Sequence, residues 1–114
     1  VSLAIVVLPI KTVSAANKRE HWAVRAKRTK AERNVAFLMT PHMELPVDVT
    51  LTRVSPRELD DDNLRPALKA IRDGVADRLG VNDRDPQVRW SYRQEKGPAE
   101  VWIHLRERFA SSTN

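Results

Sequence analysis

Leu64, Leu68, Ile71, Val75 and Leu79 recur at spacings of 4, 3, 4 and 4 residues. Residues three and four apart share one side of an α-helix, so these five form an apolar stripe that must be buried against a second layer. Gly80 follows the stripe directly and supplies the left-handed stop that commonly ends a helix. Pro66 falls in the first turn of a helix that begins near Leu64, where its missing N–H does no harm. The remaining apolar patterns have the period of strands and so supply the second layer. Leu3 to Pro9 is a β-branched run closed by a proline, and reads as a buried strand. Val47, Val49 and Leu51 alternate with Asp48, Thr50 and Thr52; Val88, Trp90 and Tyr92 alternate with Arg89, Ser91 and Arg93. After an "EKGP" turn, Val101, Ile103 and Leu105 share one side of a last strand. A further helix is predicted over residues 18–39, with Asn17 as a possible N-cap and Trp22, Ala26, Val35 and Leu38 on one side. The order β-α-β-α-β-β predicts an α/β (α+β) fold, a small mixed sheet packed by two helices. A chain of 114 residues holds one such domain, residues 1–114, with one modest core.

Several function classes drop out. The chain has no cysteine, which excludes disulfides and thiolate zinc sites and is compatible with a reducing compartment. The opening apolar run is far shorter than a membrane span, lacks a basic segment ahead of it and meets Lys11, so a strand fits better than a signal peptide. No glycine-rich phosphate loop is present, which argues against nucleotide triphosphate use. His21, His42 and His104 show no metal-ligand spacing, and no nucleophile–base pair stands out for a serine mechanism. His21 adjoins a basic run and is read as a DNA contact, His104 as structural, and Trp22, Trp90 and Trp102 as core rather than base-stacking platforms.

The charge is uneven. The chain carries a net +5, and the window from Lys18 to Arg33 accounts for it, with seven basic residues against two acidic ones. The seven are Lys18, Arg19, Arg25, Lys27, Arg28, Lys30 and Arg33. A solvated structural face usually mixes signs in i,i+4 pairs. This window scarcely does, so the seven are expected to follow a nucleic-acid backbone.

Against that background, "LDDDNL" at residues 59–64 sets three carboxylates side by side in front of the striped helix. Adjacent carboxylates about 4 Å apart repel by roughly 4 kcal/mol at an effective dielectric of 20. One acid and a cap by Asp62 or Asn63 would satisfy a helix N-terminus, and three exceed that need. In an extended segment Asp60 and Asp62 point the same way and suit a shared divalent cation, with Asp83 or Asp85 in "NDRDP" as a third ligand. Oxygen-only ligands favour Mg²⁺ or Mn²⁺ over zinc. On spacing alone the metal site and the cap stand level. An acid-held Mg²⁺ beside a basic helix would suit hydrolytic cleavage of a phosphodiester.

At "LDDDNLRPALKAIRDGVADRLGVNDRDPQV" the chain resembles the RusA family of Holliday-junction resolvases. The family pattern is Asp-x-Asp-Asn-Leu, a helix, then an acidic turn with Gln-Val and a strand. Asp60, Asp62, Asn63 and Leu64 match the first part, and Asp85, Gln87 and Val88 the second. The resemblance implies a small homodimer, of phage or prophage type, that nicks four-way DNA junctions with Mg²⁺ in recombination and repair. It implies a cytoplasmic location in a bacterial or phage-infected cell, and Asp60, Asp62 and Asp85 as metal ligands. Pro66 stands where the family places a lysine, so Lys69 or Arg65 would have to supply the cation at the reacting phosphate. A continuous helix over 64–79 would be ~24 Å long and hold Asp62 and Asp85 at opposite ends. Asp85 would then complete a partner subunit's site, unless the helix breaks near Gly74 or the following segment doubles back. The rival readings are a non-catalytic basic DNA-binding protein and an interaction protein with no nucleic-acid role.

Overall fold

A computed structural model describes residues 3–13 and 21–108. Along the chain run β1 (Leu3–Leu8), α1 (Trp22–Met39), β2 (Val47–Ser55), α2 (Asp61–Ala67), α3 (Lys69–Leu79), β3 (Val88–Lys96) and β4 (Glu100–Glu107). The four strands form one mixed sheet in the order β1-β4-β2-β3. β4 lies antiparallel to both neighbours, while β2 and β3 are parallel. Parallel neighbours need a crossover connection, and α2 with α3 provides it. The fold is α+β, as the patterning predicts.

The striped helical side chains meet the inward positions of the strands. Leu68, Ile71 and Val75 are fully buried with Val47, Val49, Leu51, Val101, Ile103 and Leu105, and Leu64 and Leu79 close the ends of this core. Burying one such side chain contributes about 1.5–3 kcal/mol, so the stripe is the main tie between helices and sheet. Gly80 ends α3 at φ 76°, and the N–H groups of Gly80 and Val81 donate to the carbonyls of Asp77 and Ala76, each at 3.1 Å.

The stripe runs over two helices rather than one, which makes three helices among the described residues. The helix starts at Asp61, not near Leu64, so Pro66 lies in its second turn and cannot donate to the Asp62 carbonyl. The chain tightens after it, with Leu68 N–H on the Arg65 carbonyl at 3.1 Å, and Leu68 leaves helical geometry at φ −103°, ψ 4°. The axis therefore breaks at Leu68, beside the proline, and not near Gly74.

Gly74 instead marks a close approach of α1 to α3. A methyl group there would overlap the carbonyl oxygen of Arg33 and lie 2.8 Å from Cβ of Ala36. α1 starts at Trp22, with the His21 ring Nδ1 accepting from Ala23 N–H at 3.2 Å, so His21 is the cap and Asn17 lies outside the described residues. Its packed side is also not the expected one. Trp22, Ala26 and Leu38 are exposed and Val35 is half-buried, whereas Glu32 and Ala36 are buried. β1 is likewise buried on one side only, since Leu3, Ile5 and Val7 stand exposed on the sheet face away from the core.

One bidentate ion pair joins α1 to α3: Arg33 Nε and Nη2 donate to the two carboxylate oxygens of Asp77 at 2.7 and 2.9 Å. The Arg33 hydrogen bonds, with its charge, hold the Asp77 carboxyl below the usual carboxylate range against a smaller opposing effect of burial. A depressed folded pKa means that this stabilisation is present above about pH 4 and lost as pH falls through the folded value. Both side chains are well exposed, so screening keeps the pair below about 1 kcal/mol. Asp77→Asn is expected to lower Tm by no more than about 4 °C near neutral pH. The difference from wild type should close in strong acid, which a calorimetric pH series would show.

Candidate active site

The acidic motif reaches its position through two polar side chains at inward strand positions. Gln94 on β3 accepts from Leu59 N–H through Oε1 and donates to the Leu59 carbonyl through Nε2, both at 2.9 Å. Buried Arg53 on β2 donates from Nε to Thr12 Oγ1 at 2.8 Å and from Nη1 to the Arg57 carbonyl at 2.7 Å. Burial lowers the Arg53 pKa from its ordinary value. Together they pin the segment that leads into Asp60. Gln94→Leu would leave both Leu59 backbone groups unpaired, at about 1 kcal/mol for a half-buried position. The Leu59 amide should then lose protection in hydrogen exchange while the amides of β2 keep theirs.

Asp60, rather than the Asp62 or Asn63 of the cap alternative, occupies the N-cap position of α2, and its side chain makes no capping hydrogen bond. Its carbonyl accepts from Asn63 and Leu64 N–H at 2.9 and 3.2 Å. Asp61 and Asp62 form the first turn. Helical geometry from residue 61 replaces the extended segment in which Asp60 and Asp62 would point the same way. All three carboxylates are exposed, and none is ion-paired to a cation among the described residues.

Asp85 does not join them. Its Oδ1 accepts from Gln87 N–H at 2.9 Å and its own N–H donates to the Asn82 carbonyl at 2.9 Å, which is turn chemistry just ahead of β3. Leu59 is tied to Gln94 near the far end of that strand. The seven residues from Gln87 to Gln94 span ~23 Å at 3.3 Å each. Among the described residues no three His, Asp or Glu side chains converge as a metal-ligand set. Asp60, Asp62 and Asp85 therefore do not meet within one chain, which is the arrangement expected where Asp85 serves a partner subunit's site. The donors that remain do suit a hard cation: Mg²⁺ commonly takes one or two carboxylates, several waters and substrate phosphate oxygens.

The segment after α3 does double back, and it returns Asp83. Lys69 Nζ lies 2.6 Å from Asp73 Oδ1 and 3.3 Å from Asp83 Oδ2. The Asp73 hydrogen bond raises the Lys69 pKa above its ordinary value, opposed by burial and aided by Asp83. Burial alone would raise the Asp83 carboxyl, but Lys69, Arg72 and Arg84 together hold it below the usual range. Arg72 donates to Tyr92 Oη at 2.8 Å and to the Asp83 carbonyl at 2.7 Å, with its guanidinium 4.5 Å from the Trp90 ring centre. Trp90 itself packs against the core and donates to the Asp83 carbonyl at 3.1 Å. Arg65 stacks 5.1 Å from the Tyr92 ring centre. Neither Arg53, Gln94 nor this stacked cluster was anticipated. The available signal was a polar or aromatic residue at a strand position whose neighbours two away are apolar.

The basic window divides. Lys18 and Arg19 lie outside the described residues. Lys27 and Lys30 are exposed on α1, Arg33 is tied to Asp77, Arg28 lies 3.7 Å from Glu32, and Arg25 lines a cleft between α1 and α2–α3. Trp22, read as core, is 76% exposed at the start of this helix.

These features define a small α+β domain with an exposed acidic motif and a cation-rich pocket along one crossover. No family model matches the chain. A protein of Xylella fastidiosa (strain Temecula1 / ATCC 700964), described as uncharacterized, is 38% identical over 90 residues, covering 67% of this chain and 56% of that protein. The chain thus spans just over half the length of that relative. Among the described residues no helix is long and apolar enough to cross a membrane.

Proposed function

We propose that the protein is a Mg²⁺-dependent endonuclease of the RusA Holliday-junction resolvase type, nicking four-way DNA junctions in recombination and repair. The observation that carries this reading is the exposed Asp60–Asp62 motif, ion-paired to no cation among the described residues and one helical turn from Arg65 and the cationic pocket. Unpaired acids beside clustered cations suit a site that takes up both a metal and a phosphate. Asp60 and Asp62 would hold the ion, which when bound polarises the phosphate and lowers the pKa of a water. Gln94 and Arg53 keep the acidic turn in place. Lys27, Lys30 and the rest of the Lys18–Arg33 window would follow the flanking backbone.

The reading includes a homodimer. Exposed Leu3, Ile5 and Val7, in register with Trp102 and His104 on β4, give the uncovered sheet face an apolar strip for a second copy to cover. A third metal ligand from Asp85 would then come from that copy. The location that goes with the reading is the cytoplasm of a bacterial or phage-infected cell.

Two observations favour the non-catalytic DNA-binding alternative: Pro66 stands at the position of the family lysine, and Lys69 is held by two carboxylates. Nicking in Mg²⁺ separates the cases, and metal-free binding tests the DNA role that both share. The nuclease reading expects a four-way junction to bind more tightly than a matched duplex, with affinity falling steeply as salt rises. Equal, salt-insensitive binding of both would remove it.

A further inference from the structure

Arg65, Lys69, Arg72 and Arg84 line a cavity of about 310 Å³ together with Tyr92 and a single acid, Asp83. The four cations are of two kinds. Lys69 and Arg72 are anchored, the first by Asp73 and Asp83, the second by Tyr92 and the Asp83 backbone. Asp83 is already shared between them, at 3.3 Å from Lys69 and 3.5 Å from Arg72. Arg65 and Arg84 are exposed, and neither is ion-paired to an acid among the described residues. The four cations outnumber the one acid of the lining, so the cavity keeps a net positive charge. Stacking of Arg65 on Tyr92 and of Arg72 on Trp90 fixes two guanidinium planes, which reduces the side-chain freedom lost when they grip an anion. Guanidinium forks match the paired oxygens of a phosphate.

We infer that this pocket is a phosphate-binding site in which Arg65 and Arg84 close on the anion and Arg72 forms the fixed wall. The choice of a DNA backbone phosphate as its ligand rests on the function proposed above; the anion site itself rests on the cation geometry. Arg65 lies three residues beyond Asp62, about 4.5 Å along the helix axis, so a strand held in the pocket would pass the acidic motif. The source of the phosphate is either the DNA backbone or a small phosphate compound.

The test compares the full chain with Arg65→Gln/Arg84→Gln, both positions being exposed, in two titrations without metal. One follows a labelled four-way junction by fluorescence anisotropy across a salt series. The other follows inorganic pyrophosphate by calorimetry. The expected result is a slope of log affinity against log salt that is shallower by about 0.9 in the variant, the loss of one phosphate contact. An unchanged slope and affinity would overturn the pocket while leaving the nuclease reading in place. If the wild type ignores the junction but binds pyrophosphate, and the variant does not, the pocket stands as a site for small phosphates and the junction reading fails. Binding of neither ligand by the wild type overturns both.

Discussion

Gly74→Ala is expected to destabilise the protein by about 2 kcal/mol, although alanine is the better helix former. In an exposed helix interior the change would gain up to about 1 kcal/mol. Here the added methyl meets the Arg33 carbonyl oxygen and Ala36 Cβ, parts of α1 that cannot rotate aside. α1 and α3 must separate, which loosens Ala36 and Val75 and strains the Arg33–Asp77 pair. Overpacking of a close contact typically costs 1–3 kcal/mol, and more where backbone is the obstacle. With a urea slope of about 1–3 kcal/mol per molar, the denaturation midpoint should fall by roughly 1 M. A midpoint at or above wild type would mean that the two helices do not approach as closely as described.

Asp62→Asn carries the largest expected effect on activity. Within the nuclease reading, the side chain helps to hold an ion that stabilises charge developing on the phosphate, worth several kcal/mol in the transition state. Losing about 3 kcal/mol lowers the nicking rate by roughly two orders of magnitude. Binding should not weaken, because removing an acid from a DNA-facing surface reduces repulsion. Stability should change little, since the carboxylate is exposed and caps nothing. Junction nicking timed at saturating protein, beside anisotropy for affinity, separates these effects. Equal rates for the variant and the wild type would remove Asp62 from the site.

How much of this was legible beforehand follows from which forces act locally. The apolar stripe from Leu64 to Leu79 and the alternation of β2, β3 and β4 are local patterns with a single burial solution, and each met the core as expected. Gly80 worked for the same reason. The start at Asp61 and the break at Leu68 were harder to read, because a proline inside a helix and a proline in its first turn differ by only a few residues of register. α1 was misread on its packed side because its contact with α3 is set by small residues and charge, Gly74, Ala36 and Arg33–Asp77, rather than by large apolar side chains. β1 was read as fully buried because its sequence is apolar at every position, and an edge strand with an uncovered face has the same composition.

The candidate site was legible in part. The acidic motif stands out by type and spacing, whereas Lys69 enters only through the family resemblance, and Asp83 and Asp85 are alike by type. Whether separated acids converge depends on the path of the crossover, which no local pattern records. The stacking of Arg65 on Tyr92 and of Arg72 on Trp90 is likewise long-range. Gln94 and Arg53 do not stand out in the sequence because they continue the inward parity of β3 and β2 with polar side chains, where the apolar alternation stops.

The decisive measurement is cleavage of an end-labelled synthetic four-way junction and a matched linear duplex by the wild-type chain in Mg²⁺. Paired, symmetrical nicks on the junction, absent from the duplex and abolished by chelation, are the outcome expected of a junction resolvase. Tight, salt-dependent junction binding with no nicks in either Mg²⁺ or Mn²⁺ would contradict it and leave a DNA-binding module with an acidic helix start.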